Sequence, residues 1–418
     1  MKSSRRNKWV ILAAVIALSV ALPMGAVADK APKEVKVGLM FGLTGAASPV
    51  GPVQLDGAKL AIDEINAAGG LNWGGKKVKV SFVVKDDETK PDVAIRRFRE
   101  LVNEEKVHVI VGQTFASITA ALNKQVKKLN IAYFPVNVVA LKMFDKKEMA
   151  PSTFAVHGAA YSAGFGSASY IIKNMKPKKI VFFGPAYAFG TDQWNGARDA
   201  FAKYGVKAEY LESPVGTSDF TSYLTKIIEM KPDVVMLAHW GNDAINVLKQ
   251  TYETGLKAKT QIFFNWMTNV FGSGVPAEAL EGVYSLMSWY YDLSGFDDKE
   301  IVEQGRAFAE KFSRVYGYPP DPYSAMAYIG TQEALRGLSI AQSSNPKKIT
   351  KAIMDNPTFD SVKGTATWRA DRQPIFKYNA FIVVGKSGAE RKNRWDLVKV
   401  IGAYTGEDYL PPLSVLGY

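Results

Sequence analysis

The sequence predicts an α/β protein of two similar lobes, each a parallel β-sheet with helices on both faces. Two observations predict it. Short apolar, β-branched runs alternate with helical repeats, and the runs are apolar throughout, as in strands covered on both faces. The alternation stops near Pro151 and restarts over a comparable length, which favours two lobes over one large sheet.

The elements follow in order. Glu34–Phe41 (EVKVGLMF) is the first strand, and Gly42-Leu43-Thr44-Gly45 leads to a helix over 53–68. In that helix Leu55, Ala58, Ile62 and Ile65 share a face, and Gly69-Gly70 stops it. A strand over 78–84, a helix over 91–103, a buried strand over 107–111, a helix over 116–129 and a strand over 131–134 complete the first series. The second series holds strands over 179–183, 206–211, 233–238 and 261–264, with helices over 191–203, 220–230 and 242–254. Beyond Val275 the sequence carries two long helical stretches, 299–315 and 324–341, and a late strand, 380–384. The chain is therefore expected to return and complete both lobes. Lobe 1 is expected over 29–150 plus about 276–355, and lobe 2 over 151–275 plus about 356–418.

The amino terminus reads as an export signal. Lys2, Arg5, Arg6 and Lys8 precede an apolar run from Trp9 to Leu22, and Ala26-Val27-Ala28 offers a cleavage site. The run is shorter than the ~20 residues that span a bilayer. A soluble periplasmic chain beginning at Asp29 is expected. Hydrophobic content of 47% with 22% charged residues fits an ordinary globular protein. The formal charge of +12 includes four cations of the leader, and the rest are spread without a basic block. A solvated basic surface with no nucleic-acid partner is the expectation. The chain has no cysteine, which excludes disulfides, thiol catalysis and a lipid-modified cysteine.

A catalyst is hard to assemble from these residues. The three histidines, His108, His157 and His239, show no metal spacing, and no Walker loop or complete G-x-G-x-x-G follows a strand. His108 reads as a structural residue of its strand. Gly164-Phe165-Gly166-Ser167-Ala168 is not a nucleophile elbow and reads as a small-residue packing face. Asp86-Asp87-Glu88 reads as a solvated turn rather than a cation site. No enzyme activity, metal or cofactor is expected.

Strand ends offer a binder instead, because ligands of parallel α/β sheets sit beyond the carboxyl ends of strands. The strand ending at Val111 runs into Gly112-Gln113-Thr114-Phe115-Ala116-Ser117, where hydroxyls and helix N–H groups can hold a carboxylate. The second series places Tyr187 and Phe189, His239 and Trp240, and Asn265 and Trp266 at strand ends, an aromatic-walled pocket.

The segments VKVGLMFGLTGAAS, GAKLAIDEINAAGGLNWGGKKVKV and DDETKPDVAIRRFRELVNEEKVHVIVGQTFASITAAL resemble the Leu/Ile/Val-type periplasmic substrate-binding proteins of ABC transporters. The resemblance spans nearly the whole mature chain, and its most specific part is the helix-to-turn run INAAGG. It implies the type I periplasmic-binding-protein fold, two lobes on a three-strand hinge, a monomer, and delivery of a small molecule to a membrane permease. In the amino-acid-binding members a serine that helps hold the α-carboxylate falls at Ala116, with Ser117 beside it. A threonine sharing that task falls at Val138, next to Asn137. Aromatic ligand positions match Phe189, Trp240 and Tyr323. The acidic residue that holds the ligand ammonium falls near Asn265-Trp266, where this chain has no carboxylate. A buried ammonium without a counter-charge costs several kcal/mol, about 3–5 where a pair is broken. The expected ligand is therefore a small apolar or aromatic carboxylate, stacked on Trp240, Trp266 and Phe189, with Thr114, Ser117 and backbone amides at its polar end. A branched-chain amino acid or amide binder, or a ligand-sensing partner of a membrane receptor, are the competing readings.

Overall fold

The computed structural model describes residues 29–418, so the expected leader lies outside the described residues. Lobe 1 is built from β1 (Glu34–Phe41), α1 (Gly51–Ala67), β2 (Leu71–Trp73), β3 (Lys76–Asp86), α2 (Pro91–Asn103), β4 (Val109–Gly112), α3 (Ala116–Leu129) and β5 (Tyr133–Pro135). Its sheet runs β2-β3-β1-β4-β5, with β1 parallel to both β3 and β4. Every residue of the internal strand β4 is buried, because helices cover both of its faces.

Lobe 2 follows with α4 (Ala160–Tyr170), β6 (Ile180–Pro185), α5 (Ala188–Lys203), β7 (Ala208–Ser213), α6 (Thr221–Met230), β8 (Val234–Leu237), α7 (Asn242–Glu253), β9 (Gln261–Phe264), the short α8 (Asn269–Ser273) and α9 (Ala277–Leu280), and β10 (Tyr284–Met287). The chain then returns to lobe 1 for α10 (Lys299–Tyr316), α11 (Pro322–Ala341), α12 (Pro346–Asp355) and three short strands, β11 (Thr358–Phe359), β12 (Ala366–Trp368) and β13 (Pro374–Phe376). It crosses a last time into β14 (Ala380–Gly385) and β15 (Val398–Tyr404). The second sheet runs β15-β14-β10-β9-β8-β6-β7, with β14 and β15 antiparallel at one edge.

The observed crossings correct the expected boundaries at 276 and 356. β10 pairs parallel with β9 and stays in the second sheet, so the return to lobe 1 comes after Met287. Phe359, Ala366, Trp368 and Phe376 pack with Val35, Phe134 and Leu335 in the core of lobe 1, so the last crossing follows Phe376. The chain thus passes between lobes three times, around 156–160, 287–299 and 376–380.

Two other expectations are settled by packing. The Gly164–Ala168 segment is a helix face in close contact with α5: a Cβ at Gly164 would stand 1.8 Å from the Gln193 carbonyl oxygen, and one at Gly196 would stand 2.1 Å from that of Tyr161. His108 is structural, its Nδ1 accepting from the Lys36 N–H at 3.0 Å. The acidic turn is less solvated than expected. Asp86 accepts from the Leu43 N–H at 2.9 Å and the Thr44 hydroxyl at 2.7 Å, while Asp87 is buried and its carboxyl is pushed up to about 6 by that burial. The Asp86 carboxylate ties the β3 end to the loop after β1, while that of Asp87 accepts from the Thr89 N–H within its own turn at 2.8 Å.

Gly196→Leu is expected to lower the unfolding free energy by about 1–3 kcal/mol, since the added side chain meets backbone. Urea unfolding checks this, and an unchanged midpoint would contradict the α4–α5 contact.

Candidate functional site

The carboxyl ends of β1 and β4 in lobe 1 face those of β6, β7 and β8 in lobe 2, and the loops beyond them meet. Gly241, at φ +64, lies where a Cβ would be 3.4 Å from the Ala46 carbonyl oxygen of the opposite lobe. The site has two connected parts. An inner niche is lined by Thr114, Phe115, Ala116, Asn137 and Val138 from lobe 1 and by Tyr187, Phe189 and Trp240 from lobe 2. An outer cavity of about 300 Å³ shares Phe115, Tyr187 and Trp240 and is bounded by the Val215–Ser218 loop and the start of α7.

Aromatic rings hold the lobes together here. Phe115 stacks on Tyr187 across the cleft, with ring centres 5.4 Å apart and planes 3° from parallel. Trp240 meets Phe115 edge-on at 5.6 Å. Its indole Nε1–H donates to the Tyr323 hydroxyl at 2.7 Å, a second contact between lobes. The inner niche measures about 10 Å³, room for one water at most. An organic ligand therefore enters it only if Phe115 moves.

The expected site residues divide sharply. Thr114, Phe115, Ala116, Asn137, Val138, Phe189 and Trp240 come together around the niche. The polar ones among them are spent on the protein itself. The Thr114 hydroxyl donates to Gln54 Oε1 at 2.7 Å and accepts from the Gly42 N–H at 3.1 Å. Asn137 Nδ2 donates to the Thr114 carbonyl, and its Oδ1 accepts from the Val138 N–H at 2.7 Å. A buried strand end must satisfy its own backbone, and these side chains do it. Ser117 is exposed: with the helix beginning at Ala116, one residue further turns the side chain to solvent. Trp266 does not join the niche. It packs on His157 with ring centres 4.9 Å apart and lines a separate cavity at the lobe crossing. Tyr323 is fully buried behind Trp240, which it positions.

The remaining polar groups are backbone. Phe115 is the N-cap of α3 and supplies no capping side chain. Ile118 and Thr119 donate their N–H groups to the Phe115 carbonyl, while those of Ala116 and Ser117 make no hydrogen bond among the described residues. Two free amides and the positive end of a helix favour an anion.

Sequence reasoning missed the outer cavity. Tyr187 was visible as a strand-end aromatic, but Asp243 was not. Asp243 lies in the first turn of α7, is 8% exposed and accepts from the Gly216 N–H at 2.9 Å. Burial pushes its carboxyl above the usual carboxylate range, and it makes no ion pair among the described residues. Its place just after β8 was the available signal. His239, beside Trp240, is buried with Nε2 3.1 Å from the Ser213 hydroxyl, and desolvation draws its imidazole down to about 3.

The periplasmic binding protein family matches residues 34–389. The chain belongs to that family. This binding protein is 26% identical over 380 residues to an amino acid binding protein of Pseudomonas aeruginosa, covering 90% of this chain and 96% of that one. Among solved structures it is similar to an amino acid ABC transporter substrate-binding protein from Pseudomonas fluorescens, with TM-score 0.81, 23% identity and coverage of 93% and 99%. It is also similar to a solute binding protein of an ABC transporter from R. palustris in complex with benzoate, with TM-score 0.76, 22% identity and coverage of 90% and 98%. The fold is that of a type I periplasmic binding protein. Among the described residues no helix is long and apolar enough to cross a membrane.

His239 makes stability depend on pH. Its folded-state pKa of about 3 lies below the unfolded value of about 6.5, so the unfolded chain binds more protons between them. The contribution is fully present above pH 6.5 and is lost as pH falls toward 3. Wild type is expected to lose on the order of a few kcal/mol more than His239→Gln across that window, measured by urea unfolding at a series of pH values.

Proposed function

We propose that this binding protein is a soluble periplasmic component of an ABC importer. In this reading it captures a small carboxylate-bearing, apolar or aromatic ligand between its lobes and hands it, unaltered, to a membrane permease. The observation that carries the reading is the uncapped start of α3 set among Phe115, Tyr187, Phe189 and Trp240. Free amides suit the carboxylate, and flat rings from both lobes suit an apolar or aromatic body. The outer cavity of about 300 Å³ is at the small end of ligand pockets. The benzoate complex of a protein of similar fold is consistent with this ligand class.

Asp243 favours a second reading. Its buried carboxylate borders the outer cavity without a counter-charge, and it would pair with an ammonium where Asn265-Trp266 has none to offer. The ligand would then be an amino acid, as the name of the Pseudomonas aeruginosa relative suggests.

Calorimetry separates the two. Benzoate-type acids are expected to bind, and Trp240→Ala to weaken them at least about tenfold through lost ring contact. Tight leucine binding with no response to any aromatic acid would refute the first reading. Loss of that leucine binding in Asp243→Asn would establish the second.

A further inference from the structure

We propose that the cavity at the lobe crossing holds one small monovalent anion, of the size and charge of chloride, between Lys363 and His157. The cavity measures about 20 Å³, room for a single atom-sized guest, and it is separate from the aromatic niche. Its walls come from the first crossing (Val156–Ala159), from Trp266 of lobe 2, and from Lys363 and the segment between β13 and β14. Lys363 is 2% exposed. Its Nζ donates to the Asn379 carbonyl at 2.8 Å and stands 4.3 Å from the centre of the Phe376 ring. An ammonium has three hydrogens, and the other two meet no acceptor among the described residues.

No carboxylate lines this cavity, and Lys363 makes no ion pair among the described residues. A buried cation left unpaired is costly, and the face of one phenyl ring offsets only part of that cost. His157, 5% exposed, lines the same space, and its Nε2 has no partner. In the Nε2–H tautomer it adds one more donor. Donors without acceptors, a cation without an anion and a space of matching size point to one guest. A single small anion satisfies all three, whereas a water would leave the charge uncompensated. Burial draws the Lys363 ammonium down to about 7; burial first, and the Lys363 charge second, hold His157 well below its ordinary value, so the two groups share one electrostatic environment. An anion here would bind chain segments from both lobes and stiffen the hinge.

Crystals of the wild-type protein grown in sodium bromide provide the direct test. An anomalous bromine peak beside Lys363 Nζ is expected, and a cavity that shows water alone or no peak overturns the proposal. In solution, melting is compared in sodium chloride and in sodium gluconate at equal ionic strength. Each tenfold rise in chloride is expected to raise the wild-type Tm by about 1–2 °C once the site is saturating. Lys363→Met, which keeps the volume and removes the charge, is expected to melt at a temperature independent of chloride. The same chloride dependence in Lys363→Met and wild type would place any bound anion elsewhere and defeat the assignment.

Discussion

Parallel strands impose one constraint from which the rest of this molecule follows. All strands of a parallel series end at the same edge of the sheet, and so do the loops and helix starts that succeed them. Two such sheets, set edge to edge by three chain crossings, bring those edges face to face. Phe115 and Ala116 arrive from the end of β4, Tyr187 and Phe189 from the end of β6, and Trp240 and Asp243 from the end of β8.

Much of the fold was legible in the sequence because local physics wrote it there. Strands such as Glu34–Phe41 and Gln261–Phe264 and helices such as Pro91–Asn103 and Ala116–Leu129 carry strong periodicity and clear stops, and they lie where expected. What escaped was decided by partners distant in sequence. β11, β12 and β13 are two or three residues each, too short for any period, and exist because lobe 1 offers Phe134 and Leu335 to pack against. β10 has four residues, and only its pairing with β9 and β14 assigns it to lobe 2. Asp87 sits in a stretch that looks solvated, yet the loop after β1 folds over it.

The site was legible as a place more than as a set of contacts. Strand-end logic pointed to Phe115, Ala116, Phe189 and Trp240 and the family resemblance to Val138, and all five line the niche. Thr114 and Asn137 line the niche as well, with their hydroxyl and amide consumed by Gln54, Gly42, Val138 and the Thr114 carbonyl. Composition reveals which side chains can bond a ligand, but not which are already occupied. Ser117 turns to solvent one residue along α3 from Ala116, and Trp266 faces the cavity at the lobe crossing.

The ring stack between Phe115 and Tyr187, with the Trp240–Tyr323 hydrogen bond behind it, also has a kinetic side. A door held shut by its own contacts admits a guest only when it swings open. At high solute concentration the rate of capture would level off at the frequency of that opening, however strong the eventual grip. Contacts that make the jaws fit one another thus trade speed of uptake for order in the resting protein, and affinity alone would not disclose the exchange.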